Sequence, residues 1–251
     1  MSFMFAESAL TNIDLTTFDT SNIVNMSHLF FNCYSLTNVI IEKINIKIVE
    51  DMSYMFSNCE SLINLDFGHI DINKVKTMSN TFKDCISLIS LNINTFQTNN
   101  IEDISYMFDS FSELQYVNID NFDTSKVRNM SHIFNYWGEL TQLNIIHFNT
   151  INAKDMSYMF ANCKKISSIN LSNFKTDNVI NISAMFKGCI LLDYLTDINF
   201  ETSKFVDMSK LFEGSSLKRI NLKNFDTNQV IDMSYMFSGC SLLNKNSFWE
   251  F

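Results

Sequence analysis

The feature that most constrains this chain is a block that recurs at almost constant spacing. "DMSYMF" appears word for word at Asp51–Phe56, Asp155–Phe160 and Asp232–Phe237, with the near copy "DISYMF" at Asp103–Phe108. Taking the first residue after the Asp as a phase marker gives Met1, Met26, Met52, Met78, Ile104, Met130, Met156, Ile182, Met208 and Met233. Successive markers lie 26 residues apart, except for 25 at the first and last intervals. A single period running end to end means one repeat array over residues 1–251, not two domains. The repeats, about nine to ten in all, are numbered here from these markers.

The columns carry the physics. The fifth block position is Phe in all ten copies, from Phe5 to Phe237, and all 14 methionines fall in the first or fourth position. Apolar residues at first, fourth and fifth places match one face of a helical turn. The preceding Asp or Asn (Asn25, Asp51, Asp103, Asn129, Asp155, Asn181, Asp207, Asp232) suits an N-cap. Downstream, pairs such as Leu65/Phe67, Leu91/Ile93 and Leu143/Ile145 alternate with period two, as a strand does with one face buried. A Phe-x-Thr corner follows in most repeats, for example Phe122/Thr124, Phe148/Thr150 and Phe174/Thr176. One strand, one corner and one short helix cannot bury both apolar faces alone, whereas stacked copies can. The expectation is an α/β repeat solenoid of leucine-rich-repeat type, a right-handed superhelix. A parallel concave sheet of about nine strands, ~40 Å across at the usual strand spacing, would carry short helices on its convex side.

Composition narrows the function classes. At 46% hydrophobic and 14% aromatic residues the chain can bury a large core, and its net charge is −9. Nucleic-acid binding needs a basic surface that is absent here. There is no proline and there are only 5 glycines, so turns must come from Asn, Asp, Ser and Thr. No apolar run reaches transmembrane length. The N-terminus "MSFMFAESALTN" lacks the pattern of a signal peptide. The array begins and ends inside a repeat without recognisable polar caps, which suggests a fragment.

Segments such as "FSNCESLINLDFGHIDINKVKTMS" and "FANCKKISSINLSNFKTDNVINIS" resemble the BspA-like leucine-rich repeat family. The likeness covers essentially the whole chain. It implies a bacterial surface protein, or a relative in some protists, tied to adhesion to host matrix or other cells. Repeat 2 departs from the pattern, with Ile44 and Ile46 where Phe and Thr usually stand. Asp197 in a strand column predicts a bulge near Thr196–Ile198.

Chemistry is weakly signalled. Cys33, Cys59, Cys85, Cys163, Cys189 and Cys240 share one column, in which Phe111 and Trp137 stand in two repeats; that interchange points to buried free thiols and not to disulfides or metal. The serine after each marker recurs ten times, while the four histidines keep no common relation to acids. That argues for hydrogen bonding at a helix start and against a nucleophile. No catalytic constellation, cofactor site or metal site is expected.

The candidate ligand-binding residues lie on the concave face: Asp14, Asp66, Asn92, Tyr116, Asn118, Asn144, Asn170, Tyr194, Arg219 and Asn221. Four consecutive repeats carry Asn there, predicting a stacked amide ladder. An aromatic stripe at the third block position (Phe3, His28, Tyr54, Tyr106, His132, Tyr158, Tyr235), partly buried between repeats, and the Tyr136–Trp137 pair are secondary candidates. The expected role is non-catalytic: an adhesion or protein-interaction module, secreted or on the cell surface, holding a protein or glycan ligand. The alternative is a cytoplasmic leucine-rich-repeat scaffold for protein–protein interaction.

Overall fold

A computed structural model describes residues 1–193, 195, 200–220, 222 and 225–243. Tyr194, Asn221 and the bulge expected at Thr196–Ile198 lie outside the described residues. The chain forms stacked rungs, one per repeat, joined by hydrogen bonds and a shared core.

The expected helices are not there: no described residue is helical. Each block is instead a ribbon of tight turns. In repeat 3 the N–H groups of Met52, Tyr54, Phe56 and Asn58 donate to the carbonyls of Thr77, Ser79, Thr81 and Lys83 in the next rung, at 3.1, 2.9, 2.9 and 2.8 Å. The intervening N–H groups of Met55, Ser57 and Cys59 fold back to the carbonyls of Met52, Tyr54 and Phe56 at 3.3, 3.2 and 3.1 Å. A helix capped by Asp51 would spend the donors from Met55 onward inside its own segment; here every second donor from Met52 ties a rung to its neighbour. The geometry requires left-handed backbone at two positions per rung. Tyr54 has φ 57° and Asn58 φ 61°, and the same two columns have positive φ throughout, from Phe3 and Glu7 to Tyr235 and Gly239. A left-handed residue breaks a right-handed helix.

The capping residues are therefore reassigned. Asp51 accepts the Ser53 N–H through Oδ1 at 2.8 Å, an Asx turn and not a helix N-cap. The contact recurs at Asn25/Ser27, Asp103/Ser105, Asn129/Ser131, Asp155/Ser157, Asn181/Ser183, Asp207/Ser209 and Asp232/Ser234. The backbone of this column forms parallel bridges from Asn25 through to Asp232.

The sheet is shorter than expected. Strands β1 (Asn12–Asp14), β2 (Asn38–Ile40), β3 (Asn64–Asp66) and β4 (Ser90–Asn92) form two parallel pairs, β1–β2 and β3–β4. The register is one full repeat: Leu65 pairs with Leu91. The expected nine-stranded sheet is not continued through 115–119, 142–145 or 168–171. Pairing is already interrupted between β2 and β3, and in the rungs after β4 Phe111 and then Trp137 occupy the cysteine column. Both rings are fully buried, and the Trp137 indole N–H donates to the Leu114 carbonyl at 2.5 Å, beside the segment that would have been the fifth strand.

Two ladders hold the interior. The block phenylalanines stack without interruption from Phe5 to Phe237, with centroids 5.3–6.1 Å apart and planes within 23° of parallel. At the corner, Thr20, Thr98, Thr124, Thr150, Thr176 and Thr202 are buried, and each hydroxyl donates to a backbone carbonyl of the next rung.

Candidate functional site

At most of its Asp and Asn positions the strand column ends the segment with a turn held by the side-chain oxygen. Asp14 accepts the Thr16 N–H at 2.8 Å, Asp66 that of Gly68 at 2.7 Å, Asn118 that of Asp120 at 3.1 Å and Asn170 that of Ser172 at 3.0 Å. Asn92 reaches Asn94 N–H at 3.4 Å. Hydrogen bonds from the Thr16 hydroxyl and N–H hold the Asp14 carboxyl below its usual range. The stacked amide ladder expected over Asn92, Asn118, Asn144 and Asn170 does not form. The Asn92 amide donates to Asp66 Oδ1 at 2.8 Å, and that of Asn144 turns to Asp120 Oδ1 at 2.9 Å, so neither reaches the Asn of the adjoining rung.

Of the remaining candidates, Tyr116 stands out at 58% exposed, and Arg219 is also exposed. Ile63 and Ile89, at 41% and 60% exposure, flank the same strands and were missed by sequence reasoning. The signal was available: their column holds Thr11, Thr37, Gln115, Thr141, Ser167, Asp193 and Lys218 in other repeats, so two outward isoleucines in consecutive repeats break the template. On the turn side the aromatic stripe is real but divided. Phe3–His28–Tyr54 stack at 4.3 and 4.6 Å, and Tyr106–His132–Tyr158 at 4.1 and 4.4 Å, with Asn80 between the two sets. The Tyr136–Trp137 pair separates, Tyr136 exposed and Trp137 buried.

The tempting chemical groups serve the frame. All six cysteines are free and buried, and each thiol donates to the block Phe carbonyl of the preceding rung at 2.9–3.2 Å. Burial pushes the Cys189 thiol up to about 12 and Cys59, Cys85 and Cys163 upward too. A thiolate nucleophile is thereby disfavoured. The Ser53 hydroxyl donates to the Asp51 carboxylate at 2.6 Å, within the same turn that takes the Ser53 N–H. Among the described residues no group of three or more His, Cys, Asp or Glu could hold a metal ion, and no helix is long and apolar enough to cross a membrane. A shallow depression of about 410 Å³ is lined by Glu7, Ser8, Ala9, Asn32, Tyr34 and Ser35, away from the strand column and without a histidine.

Two titratable groups do matter, to stability. Burial raises the Asp109 carboxyl to about 6, although Ser110 Oγ and the Asn135 amide bond it at 2.8 and 3.3 Å. Burial lowers His132 to about 4. A raised acid binds its proton more tightly when folded, so Asp109 costs stability as pH rises from about 4 to about 6, by roughly 3 kcal/mol at most. A lowered histidine binds its proton less tightly when folded, so His132 costs stability as pH falls from 6.5 towards 4. The two slopes oppose each other. Asp109→Asn is expected to stabilise the chain at pH 7 and to leave a stability that falls steadily on acidification; urea melts between pH 4 and 7 would show it, and an unaltered profile would refute the assignment.

The sequence matches the family described as "Mycoplasma protein of unknown function, DUF285" over residues 1–116, 84–195 and 193–250. The chain belongs to the DUF285 family. DUF285 membership accounts for the repeats and supplies no activity. Among solved structures, this DUF285 chain is similar to a leucine rich cell surface protein from Faecalibacterium prausnitzii A2-165, at 15% identity and TM-score 0.41, over 94% of this chain and 82% of that one. Among curated proteins none matches.

Proposed function

We propose that this DUF285 chain is a non-catalytic adhesion or interaction module, displayed at the cell surface, that holds a protein or glycan ligand on the face built by the strand columns. The observation that carries the reading is the division of labour between columns. The block, the cysteine column and the Thr corner repeat their chemistry and are buried, whereas the exposed strand positions change from rung to rung: Asn64, Ser90, Tyr116, Gln142 and Ser168. A frame that is periodic inside and aperiodic on one face suits recognition of an extended surface. The six thiols are buried and bonded within the frame, and Ser27, Ser105, Ser131, Ser157 and Ser183 are buried with them. Surface display follows from the resemblance of the repeats to BspA-like proteins and is an analogy of role.

The test is capture by immobilised extracellular-matrix protein and by a glycan array. Tyr116→Ala with Asn144→Ala is expected to lower retention at least tenfold while the thermal midpoint moves by no more than about 2 °C. Asn118 is left intact because it holds the Asp120 turn. Capture that survives the double change undiminished would remove the strand face from consideration.

A further inference from the structure

The strand face is not uniform, and its polarity points to a class of partner. From repeat 2 to repeat 6, the segments 34–40, 60–66, 86–92, 112–118 and 138–144 contain no Lys or Arg, while Glu60, Asp66, Glu113 and Glu139 stand among them. Basic residues enter the equivalent segments only later, at Lys164, Lys165, Lys218 and Arg219. Glu139 is paired with Lys165 at 2.5 Å. Among the described residues Glu60, Asp66 and Glu113 have no ion-pair partner.

Within this acidic half sits an exposed apolar strip. Ile63 and Ile89 are on adjacent rungs, and the Ile89 N–H donates to the Ile63 carbonyl at 2.8 Å, which fixes the two side chains side by side. Tyr116, on the next rung, stands one position further along, in the Asn64/Ser90 column, and Ile40, 39% exposed and one rung before, stands in the Asp66 column, so the group crosses the rungs obliquely. Three rung steps at strand spacing take it about 14 Å across the rungs. Aliphatic side chains left in water within an acidic surround gain most from a partner that brings both apolar groups and positive charge.

We propose that this strip binds a cationic, partly apolar polypeptide segment, extended across repeats 2–5, with its apolar side chains on Ile63, Ile89 and Tyr116 and its Lys or Arg side chains towards Glu60, Asp66 and Glu113. An extended heptapeptide reaches about 23 Å and so covers the strip with its flanking acids. This deepens the strand-face reading above and rests on it for the choice of face.

The probe is a fluorescein-labelled Lys-Leu-Lys-Leu-Lys-Leu-Lys peptide, followed by anisotropy against the full chain. It is expected to bind, with Ile63→Ser plus Ile89→Ser weakening it at least tenfold. Glu60→Gln plus Glu113→Gln is expected to weaken it several-fold at low salt and to flatten its salt dependence. Lys126→Gln, off this face, is expected to change neither. A Lys-Ser peptide of equal charge must bind at least tenfold more weakly, since equal binding would mean charge alone. No binding, or binding unaffected by the isoleucine pair, overturns the inference. If the peptide fails while capture in the previous experiment is still lost with Tyr116 and Asn144, the strand-face reading stands and only the cationic partner falls; if both fail, the face itself is wrong.

Discussion

Phe134→Ala is expected to destabilise the chain by about 3–5 kcal/mol, the range for deleting a fully buried ring from a packed interior. Phe134 has no exposed surface and stacks on Phe108 at 6.0 Å and on Phe160 at 5.7 Å. The change therefore opens a gap in a column that otherwise runs through every repeat. Neighbouring rungs are pinned to one another by backbone bonds, such as Phe134 N–H to the Met159 carbonyl at 3.1 Å, and cannot close over the hole. The same substitution at Phe3, which is 57% exposed, is expected to cost under about 1 kcal/mol. Urea unfolding of the two variants beside the parent checks the contrast. Equal losses would mean that the block phenylalanines do not form the continuous ladder.

The second large effect concerns one hydroxyl. Thr150 Oγ1 donates to the Lys175 carbonyl at 2.9 Å and accepts the Lys175 N–H at 2.7 Å, and the side chain has no exposed surface. Thr150→Val keeps the shape and removes both bonds; Lys175 is exposed, so its freed backbone groups keep access to water and the cost is that of a lost bond, about 0.5–1.5 kcal/mol each. A total of about 1–3 kcal/mol is expected, with early loss of amide-exchange protection at Lys175. Repeat 2 shows what the column looks like without the hydroxyl: Ile46 is buried in the same place. If Val at position 150 proves neutral, the threonines are packing residues and the stitching has no energetic weight.

The architecture was legible because a period of 26 residues leaves few ways to bury so many fixed apolar columns. The inward phases of Met52, Met55, Phe56, Cys59, Leu62 and Leu65 all hold. What misled was the spacing of Met52, Met55 and Phe56, which fits one helical turn and equally a turn ribbon. The deciding clue was the residue before the cysteine: Asn32, Asn58, Asp84, Asn162, Gly188 and Gly239 are types that tolerate left-handed backbone, and all have positive φ. Read that way, the Asp at the head of "DMSYMF" begins a turn. The interruption of strand pairing, between β2 and β3 and again beyond β4, was harder to foresee, since the inward strand column stays apolar throughout, at Val39, Leu65, Leu91, Val117, Leu143 and Ile169. At the candidate site, the polar strand column was found but its backbone duties were not, because Asp66 and Asn118 look alike whether they face a ligand or hold their own turn.

The central claim is that the repeated block is a ladder of turns tied between rungs, leaving recognition to the residues that vary. The most direct test is NMR measurement of scalar couplings across hydrogen bonds in the deuterated chain. The account predicts a coupling from Tyr54 N to the Ser79 carbonyl carbon, and likewise from Phe56 to Thr81. Couplings from Met55 to Asp51, or from Phe56 to Met52, would be those of a helix and would contradict it.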